Sequence, residues 1–414
     1  MNLRRPVLDS TVPLLTQGYA WLPDRRRRTT APVVRARLMG RPAVALHGPE
    51  AVPFFYDEHH VHRHGALPGP VLSTLFGHGA VHTLDGEPHR VRKALFLSLL
   101  KDSGGVEALA ERVREVWDET ATAWPGRSRV VLFDEVSAVL TRAVCRWAGV
   151  PMAGTEAQPV ARDLVAMVDG FATAGPRHWR ARAARRRQEA WLAQLFTDVR
   201  DGTAHAPAGS AVHAVAHHRD ADGERLDPRT AAVELLNVIR PTVAVTWFVT
   251  FAAHALHRRP QERSRLLKEG PAYAEAFAHE VRRFYPFAPF TAGLAARELT
   301  WQGERIPEGA LVLLDLYGQN HDSALWPDPY VFDPGRFLDH PPGRDDLVPQ
   351  GGDDPATGHR CPGEDVTVAL LRTTSERLAA LEYDVPEQDL RIPLHRIPAR
   401  VRSGFVISGV RTPV

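Results

Sequence analysis

The segment Val233–Leu256, VELLNVIRPTVAVTWFVTFAAHAL, constrains the fold most, because a helix this apolar must be buried. Arg240 and Pro241 stand in its middle. Proline in a helix interior costs roughly 3 kcal/mol, and an unpaired buried guanidinium is costlier still. Two interpretations are open. Either Arg240 pairs with a carboxylate elsewhere in the fold and the proline makes a structural kink, or the anion that pairs with Arg240 is a ligand.

Length and charge bound the class of protein. The chain has 414 residues, 44% of them hydrophobic, so it can form one large core or two to three domains of roughly 150 residues each. A formal net charge of +2 argues against a nucleic-acid partner. Two basic runs are predicted to be solvated faces, because no binding motif accompanies them. They are Arg25 to Arg28 and the series Arg177, Arg180, Arg182, Arg185, Arg186 and Arg187.

Cysteine usage and the N-terminal residues bear on the compartment. Cys145 and Cys361 are the two cysteines, which argues against a disulfide framework and favours a reducing environment. The N-terminal sequence has no continuous apolar segment of a signal peptide, and no stretch of about 20 uncharged apolar residues occurs elsewhere. The sequence therefore predicts a cytoplasmic protein without a membrane span.

Apolar spacing predicts a mostly helical protein. Helical periodicity is found in VEALAERVREVWDETATAW, EAWLAQLFTDVRD, AAVELLNVIR and AYAEAFAHEVRRFY, and more weakly in VAMVDGFATA. Strand patterns are PVVRARLMGRPAVALHG, LTWQGERIPEGALVLLDLY and GFVISGV. Gly and Pro gather in GDDPATGHRCPGED and ALWPDPYVFDPGRFLDHPPGRDD, which are predicted to be long ordered loops. Since no repeat or low-complexity linker divides the chain, we expect a single domain, 1–414, mainly α with a small β-rich lobe.

Cys361 is the first residue with specific chemistry. It stands just before the amphipathic segment of GHRCPGEDVTVALLRTTSERLAALEYDV. The helix N-terminus and Arg360 are expected to favour a thiolate, which makes Cys361 a candidate metal ligand or nucleophile. No protease-type context accompanies it, and no further zinc ligands are evident nearby. A buried structural cysteine is the alternative, and it is preferred for Cys145.

Three motifs in order across the C-terminal half resemble the cytochrome P-450 family of haem-thiolate enzymes. EVRR places Glu280 and Arg283 on one helical face, FDPGRF supplies Arg336, and GHRCPGE surrounds Cys361. The resemblance implies the mainly α cytochrome P-450 fold with its small β-rich lobe. It also implies haem b, Cys361 as the axial iron ligand, and a buried charge network of Glu280, Arg283 and Arg336 beneath the haem.

Two departures from the general family pattern point to one branch. The family usually has Phe seven residues before the cysteine and Arg two before it, where this chain has Asp354 and His359. Ordinary monooxygenases carry an acid and an alcohol in the helix over the haem, where this chain has Arg240 and Pro241. Both departures resemble the bacterial fatty-acid peroxygenases. The similarity extends over FGHGAVHTLDGEPHRVRKALFLSLL, EVRRFYPFAPF, LLDLYGQNHD, PQGG, EYDVPEQ and SGFVISGVR.

That branch implies a hydrogen-peroxide-dependent fatty-acid peroxygenase. It hydroxylates long-chain fatty acids at the α or β carbon, and oxidative decarboxylation to terminal alkenes is left open. By resemblance, Arg240 binds the fatty-acid carboxylate and Pro241 shapes the helix around it. The bound carboxylate then performs the proton transfers of the missing acid and alcohol, so that no redox partner is obligatory.

The resemblance also assigns residues of the distal pocket and the tunnel. Phe76 and His82 line the pocket beside the carboxylate, and histidine at this position resembles the alkene-forming members, whereas glutamine is typical of some hydroxylating ones. An ordinary core Phe and a satisfied polar His are the alternatives. Phe287 and Phe290 line the tunnel for the alkyl chain or only pack the core.

Haem propionates are the expected partners of three further residues. His89 and Lys93 lie four apart in HRVRK, matching the helix whose polar side chains reach the propionates in the family. Arg360 is a further candidate. A solvated helix face is the competing interpretation for Lys93.

Two other functions remain as alternatives. One is a reductase-dependent cytochrome P-450 monooxygenase, for which dependence on NAD(P)H and a redox partner is diagnostic. The other is a non-catalytic haem-thiolate sensor. Arg240 argues against both, since neither needs a fixed cation above the iron.

Overall fold

A computed structural model of the protein describes residues 8–338 and 340–411. Helices make up most of this part of the chain. Their bounds are α1 Thr11–Gln17, α2 Trp21–Arg26, α3 Ala51–Tyr56, α4 Gly69–Val71, α5 Gly86–Leu100, α6 Ser103–Ala121, α7 Leu132–Ala148, α8 Ala157–Asp169, α9 Pro176–Arg200, α10 Ala211–His217, α11 Pro228–Arg258, α12 Pro260–Lys268, α13 Gly270–Phe284, α14 Leu316–Gln319 and α15 Glu364–Ala380.

The apolar segment with which the sequence analysis began forms α11, a continuous helix of 31 residues. It starts at a capped N-terminus: the Asp227 side chain accepts the backbone N–H groups of Arg229 and Thr230, and Pro228 occupies the first turn. Pro241 lies inside the helix without ending it. Although α11 is long and apolar enough to cross a bilayer, 94% of its most apolar window is buried in the protein. α11 is therefore a core helix.

The large hydrophobic core surrounds α11. Helices α7, α8, α9 and α15 pack directly against it. Trp247 of α11 is fully buried, and its ring meets Phe133 of α7 edge-on at 4.7 Å. The long helix thus places every side chain in its middle, including Arg240, deep inside the protein.

The strands form the predicted small β lobe. Their bounds are β1 Val34–Leu38, β2 Arg41–Leu46, β3 Val61–His62, β4 Val130–Val131, β5 Phe290–Ala295, β6 Leu299–Trp301, β7 Glu304–Ile306, β8 Leu311–Asp315, β9 Glu382–Asp384 and β10 Val406–Arg411. The main sheet has the order β1-β2-β8-β5-β3, in which β2 and β8 are parallel and the other pairs are antiparallel. A second sheet has the order β4-β10-β9, and β6 pairs with β7. The mainly α fold class with a small β-rich lobe is confirmed.

One weak helix prediction extends too far. The segment VAMVDGFATA was expected to be helical throughout, but α8 ends at Asp169. Gly170 follows, and a Cβ on it would lie 2.5 Å from the Cβ of Ala181 in α9. The close approach of α8 and α9 requires glycine here, and the chain turns between the two helices.

Glu280, Arg283 and Arg336 lie together, as their spacing and the family resemblance indicated. Arg283 Nε lies 2.7 Å from Glu280 Oε2, and Arg336 Nε lies 3.3 Å from the same oxygen. Arg283 also donates to the carbonyl oxygens of Asn320 and Pro329. Because the Glu280 and Arg283 side chains are completely buried, this network ties α13 to the loop that carries Arg336.

We expect Glu280→Ala to lower the free energy of unfolding by about 3–5 kcal/mol, because it leaves the buried Arg283 without a counter-charge. Denaturant unfolding of the haem-loaded protein measures this. Glu298→Ala, which breaks the exposed ion pair with Arg305, is the matched control and should leave stability nearly unchanged. Similar decreases in the free energy of unfolding for the two variants would show that the buried Glu280 network stabilises the protein no more than an exposed ion pair does.

Candidate active site

The Cys361 sulfur is held in an ordered loop just before α15. The Cys361 N–H donates to the Gln350 carbonyl oxygen at 3.2 Å. The Gln350 side-chain nitrogen lies 3.6 Å from Cys361 Sγ and 3.0 Å from Thr367 Oγ1 in the first turns of α15. Gly363 lies next to the sulfur, since a Cβ on it would meet Sγ at 3.9 Å, an ordinary van der Waals contact. The loop therefore presents one sulfur with its orientation fixed.

Of the two groups expected to favour a thiolate at Cys361, Arg360 is engaged elsewhere. Arg360 does not serve the sulfur: its Nε pairs with Glu364 at 2.8 Å, and its Nη1 donates to the Arg344 carbonyl oxygen at 2.7 Å. Burial raises the pKa of the Cys361 thiol, and the backbone N–H of Gly363 at the start of α15 acts in the opposite direction.

Cys145 occupies the structural role predicted for it. It is buried in α7, and burial raises the pKa of its thiol to about 12. Both cysteines are free, which leaves Cys361 as the sulfur available for a metal.

Arg240 is a buried cation that lacks an internal counter-charge. Its side chain is 5% exposed, its Nη2 donates to Asn237 Oδ1 at 3.2 Å, and its Nε has no hydrogen-bond partner among the described residues. Across residues 8–338 and 340–411, no carboxylate lies within 4.0 Å of the guanidinium. Burial, followed by repulsion from Arg185, lowers the pKa of Arg240 to about 9, which leaves it charged at neutral pH. The interpretation of Arg240 as half of an internal ion pair is excluded for this part of the chain.

Phe76 and His82 lie beside Arg240. Phe76 ends a π-helical turn, His82 lies in a 3-10 turn, and their ring centroids are 4.4 Å apart. The Arg240 Cζ atom is 5.8 Å from the centre of the Phe76 ring. Burial, and next the charge of Arg240, hold the pKa of His82 well below its usual value, so the ring is neutral. His82 Nδ1 is buried without a partner.

Four polar residues that hold this site escaped prediction from sequence. Glu234 and Asn237 of α11, Arg92 of α5 and Arg185 of α9 all contact the segment 76–82 that carries the two rings. Glu234 and Asn237 precede Arg240 by six and three residues in the same apolar helix. That spacing was the available signal, because a polar side chain in an all-buried helix needs a partner.

Arg185 corrects the prediction that its basic series is a solvated face. Arg182, Arg186 and Arg187 are exposed, as predicted. Arg185 is 2% exposed, pairs with Glu189 at 2.6 Å and donates to the carbonyl oxygen of Phe76 at 2.9 Å. The cause is helical phase: Arg185 lies on the inner face of α9, which packs against α11.

The residues expected at the haem propionates lie around the cysteine loop. His89 stacks on His359 with ring centroids 3.8 Å apart, and His89 Nδ1 and His359 Nε2 are buried without hydrogen bonds. Lys93 is 4% exposed and donates to the carbonyl oxygens of Gly358 at 3.1 Å and Arg360 at 2.7 Å. The solvated-face interpretation of Lys93 is therefore wrong. Burial lowers the pKa of His89 to about 3 and that of Lys93 to about 8.

Phe287 and Phe290 have different surroundings. The Phe287 ring lies 4.8 Å from Phe248 and 6.5 Å from Trp247, both on α11. The Phe290 ring lies 6.5 Å from Trp21 and packs against the core of the β lobe. Both are partly buried. Phe287 therefore packs against the helix that carries Arg240, and Phe290 packs against the β lobe.

Comparison with known proteins gives matches over nearly the whole chain. The family model for cytochrome P-450 matches residues 268–346. Cytochrome P-450SP alpha (CYP152B1), solved in complex with (R)-ibuprophen, is 42% identical, with 98% of this chain and 99% of that chain covered and a TM-score of 0.94. Ligand-free cytochrome P-450 OleT is 40% identical, with 98% of each chain covered and a TM-score of 0.95.

Curated relatives match over shorter stretches. Cytochrome P-450 137 of Mycobacterium tuberculosis, found in two strains, is 28% identical over 222 residues, which is 51% of this chain and 45% of that protein. Cytochrome P-450 4A10 of Mus musculus is 27% identical over 180 residues, 39% of this chain and 34% of that protein. The matched region thus spans less than half the length of these relatives.

The chain belongs to the cytochrome P-450 family, because the solved relatives exceed 40% identity over almost their full length. Within the family, the resemblance to the peroxygenase branch is confirmed by the matches to P-450SP alpha and OleT.

The residues present fit haem b, the cofactor of the family. One ordered sulfur, Cys361, offers an axial ligand for the iron. His89 and His359 lie beside that loop, but His89 Nδ1 is 3.8 Å from Glu58 Oε1 and His359 Nε2 is 3.7 Å from Asp85 Oδ1, so their role toward the propionates stays a prediction. His82 and Cys361 lie deep in the protein and are nevertheless partly exposed, as expected for side chains that border an internal space. The role of Arg360 toward the propionates stays a prediction.

We expect Cys361→Ser to abolish the thiolate-ligated haem spectrum, because serine cannot supply the sulfur donor. Cys145→Ser is the matched control and should retain the spectrum, since Cys145 lies in the core of α7. Absorption spectra of the reconstituted variants decide. A thiolate spectrum that survives in Cys361→Ser would refute the assignment of the axial ligand.

Proposed function

We propose that this chain is a hydrogen-peroxide-dependent fatty-acid peroxygenase, with residues 1–414 acting as one domain. It hydroxylates long-chain fatty acids at the α or β carbon. The observation that carries the proposal is the buried charge of Arg240, which meets no carboxylate in residues 8–338 and 340–411. A solved complex of OleT with arachidonic acid, 40% identical over 98% of this chain, fits a carboxylic acid as the missing anion.

Binding follows from the chemistry of a guanidinium. Its planar fork matches a carboxylate, and the charge-assisted pair is strong where water is excluded. Burial of Arg240 costs free energy in the empty protein, and the substrate anion removes that cost. Because the acid group is fixed at Arg240, the first carbons of the chain, rather than its tail, lie near the cofactor.

The bound carboxylate supplies the proton transfers. Haem b, held by Cys361, supplies the oxidising chemistry, since thiolate ligation favours cleavage of the O–O bond. The carboxylate at Arg240 accepts a proton from hydrogen peroxide and returns it to the departing oxygen, which leaves as water. His82 stays neutral beside it and adds no second positive charge. Because no electron donor is needed, we propose that the enzyme has no obligatory redox partner. We also propose that it is cytoplasmic.

Decarboxylation to a terminal alkene is the second product that we propose. His82 supports it, because this residue type resembles the alkene-forming members of the branch. Its ring lies 4.4 Å from Phe76, and its Nδ1 has no partner. It is therefore placed to contact a ligand beside Arg240.

We expect Arg240→Ala to lower kcat/KM for a long-chain fatty acid by about 100-fold, since it removes a charge-assisted pair. The assay uses purified, haem-loaded protein with hydrogen peroxide and no reductase, and it quantifies hydroxy acids and the alkene one carbon shorter. Arg258→Ala, at the exposed end of the same helix, is the matched control and should retain activity.

The opposite result is equally clear. Turnover that requires NAD(P)H and redox partners, with none from hydrogen peroxide, would replace this proposal by an ordinary monooxygenase. Ligand binding without turnover under either condition would favour a haem-thiolate sensor.

We expect His82→Gln to shift products from alkene toward hydroxy acids, because glutamine is typical of hydroxylating relatives and changes the groups beside the substrate carboxylate. The ratio of the two products at equal conversion is the measurement. His78→Gln changes an exposed histidine in the same loop and serves as the control. An unchanged ratio in His82→Gln would remove His82 from the choice of product.

A further inference from the structure

Glu234 is a completely buried carboxylate on α11, two turns before the Arg240 cation. Its Oε1 accepts the backbone N–H of Val81 at 2.8 Å and Nη1 of Arg92 at 2.6 Å. Its Oε2 accepts Nδ2 of Asn237 at 3.3 Å. Both carboxylate oxygens therefore accept hydrogen bonds, Oε1 from Val81 and Arg92 and Oε2 from Asn237.

Asn237 connects Glu234 to Arg240 through its side-chain amide. Its Nδ2 donates to Glu234 and also to the Phe76 carbonyl oxygen at 2.9 Å. With its nitrogen held by two acceptors, its oxygen must face the other way, where it accepts Nη2 of Arg240 at 3.2 Å. The guanidinium is thus oriented by a neutral group that leaves its charge free for a ligand.

Arg92 explains why Glu234 does not neutralise Arg240 itself. It lies between Glu234 and Asp220, with its Nε 2.6 Å from Asp220 Oδ1, and is 5% exposed. Arg92 thus forms ion pairs with both Glu234 and Asp220. Asn237 separates Glu234 from Arg240, and within residues 8–338 and 340–411 Arg240 is the charged side chain of this row that has no oppositely charged atom within 4.0 Å.

The same carboxylate also fixes the histidine loop. Val81, whose N–H binds Glu234, directly precedes His82, and Arg92 donates to the Gly79 carbonyl oxygen at 3.2 Å. Arg240 and His82 belong to different elements of the fold. Glu234 is bonded toward both, through Asn237 on one side and through the backbone of Val81 on the other.

We propose that Glu234 and Asn237 are a pair of positioning residues that aims Arg240 at the substrate carboxylate. This inference rests on the proposed function, because it specifies how the same site selects an acid headgroup. Neither residue needs to touch the substrate.

Glu234→Gln tests the pair with almost no change in volume. The side-chain amide that this substitution introduces has one acceptor oxygen. If that oxygen accepts the hydrogen bonds from Val81 and Arg92, the N–H₂ group of the amide faces Asn237. The Asn237 amide must then turn, which places its own N–H₂ against the guanidinium of Arg240. Asn237→Ala removes the contact with Arg240 directly. If Glu234 acts through Asn237, the two changes are not additive.

The experiment measures dissociation constants of the haem-loaded protein for a long-chain fatty acid and for the alcohol of the same chain length, by the ligand-induced change in haem absorption. We expect the constant for the acid to rise about tenfold in Glu234→Gln and in Asn237→Ala. The constant for the alcohol should change less than about twofold, and the double variant should resemble Asn237→Ala alone. Glu262→Gln, another buried glutamate on α12, is the matched control and should leave both constants unchanged.

Equal weakening of acid and alcohol, or effects that multiply in the double variant, would overturn the proposal in favour of a general structural role. If Glu234→Gln does not load haem, Asn237→Ala and Asn237→Ser carry the test: selective loss of acid binding supports the pair, and equal loss overturns it. Peroxide turnover by the unmodified protein is measured separately. Its absence would refute the peroxygenase proposal while acid selectivity, measured without peroxide, still reports on Glu234 and Asn237.

Discussion

The uncompensated charge of Arg240 is the constraint on which the site depends. Burying a guanidinium without an anion is unfavourable, and the protein avoids that cost at neighbouring arginines. Arg92 faces Glu234 and Asp220, and Arg185 faces Glu189. The packing of α11 against α7, α8, α9 and α15 supplies the stability that lets one helix keep an unmatched cation in its centre. On the proposed function, the fold therefore holds the cation in place before the substrate carboxylate binds.

Arg240 affects the charge state of the neighbouring His82. Its charge adds to burial in keeping His82 neutral, so the distal site holds one cation and one uncharged imidazole. Next to the cysteine loop, burial likewise raises the pKa of the Cys361 thiol. Burial thus shifts the pKa values of Arg240, His82 and Cys361 toward their uncharged forms.

Sequence patterns predicted the elements better than the contacts between them. The periodicity of α11 and α13, the strands of the β lobe and the cysteine loop all follow from local spacing and motifs. Arg185 and the contacts of Glu234 do not, because they depend on which loop packs against a helix face. A partial signal existed for Arg185: it shares one helical face with Ala181, Gln188 and Leu192, all buried. Arg185, Arg186 and Arg187 are consecutive arginines, so residue type alone does not show which of them lies on the buried face.

On the proposed function, hydroxylation and decarboxylation start from the same acid bound at Arg240. We expect the choice between them to depend on the distance between the carboxylate at Arg240 and the groups around His82. That distance joins two elements, α11 and the 3-10 turn of His82, and the chain between them is long. Glu234 links the two through Asn237 and Val81. On the proposed function, we therefore expect a substitution that leaves Arg240 and His82 intact but loosens this link to change the ratio of hydroxy acids to alkene.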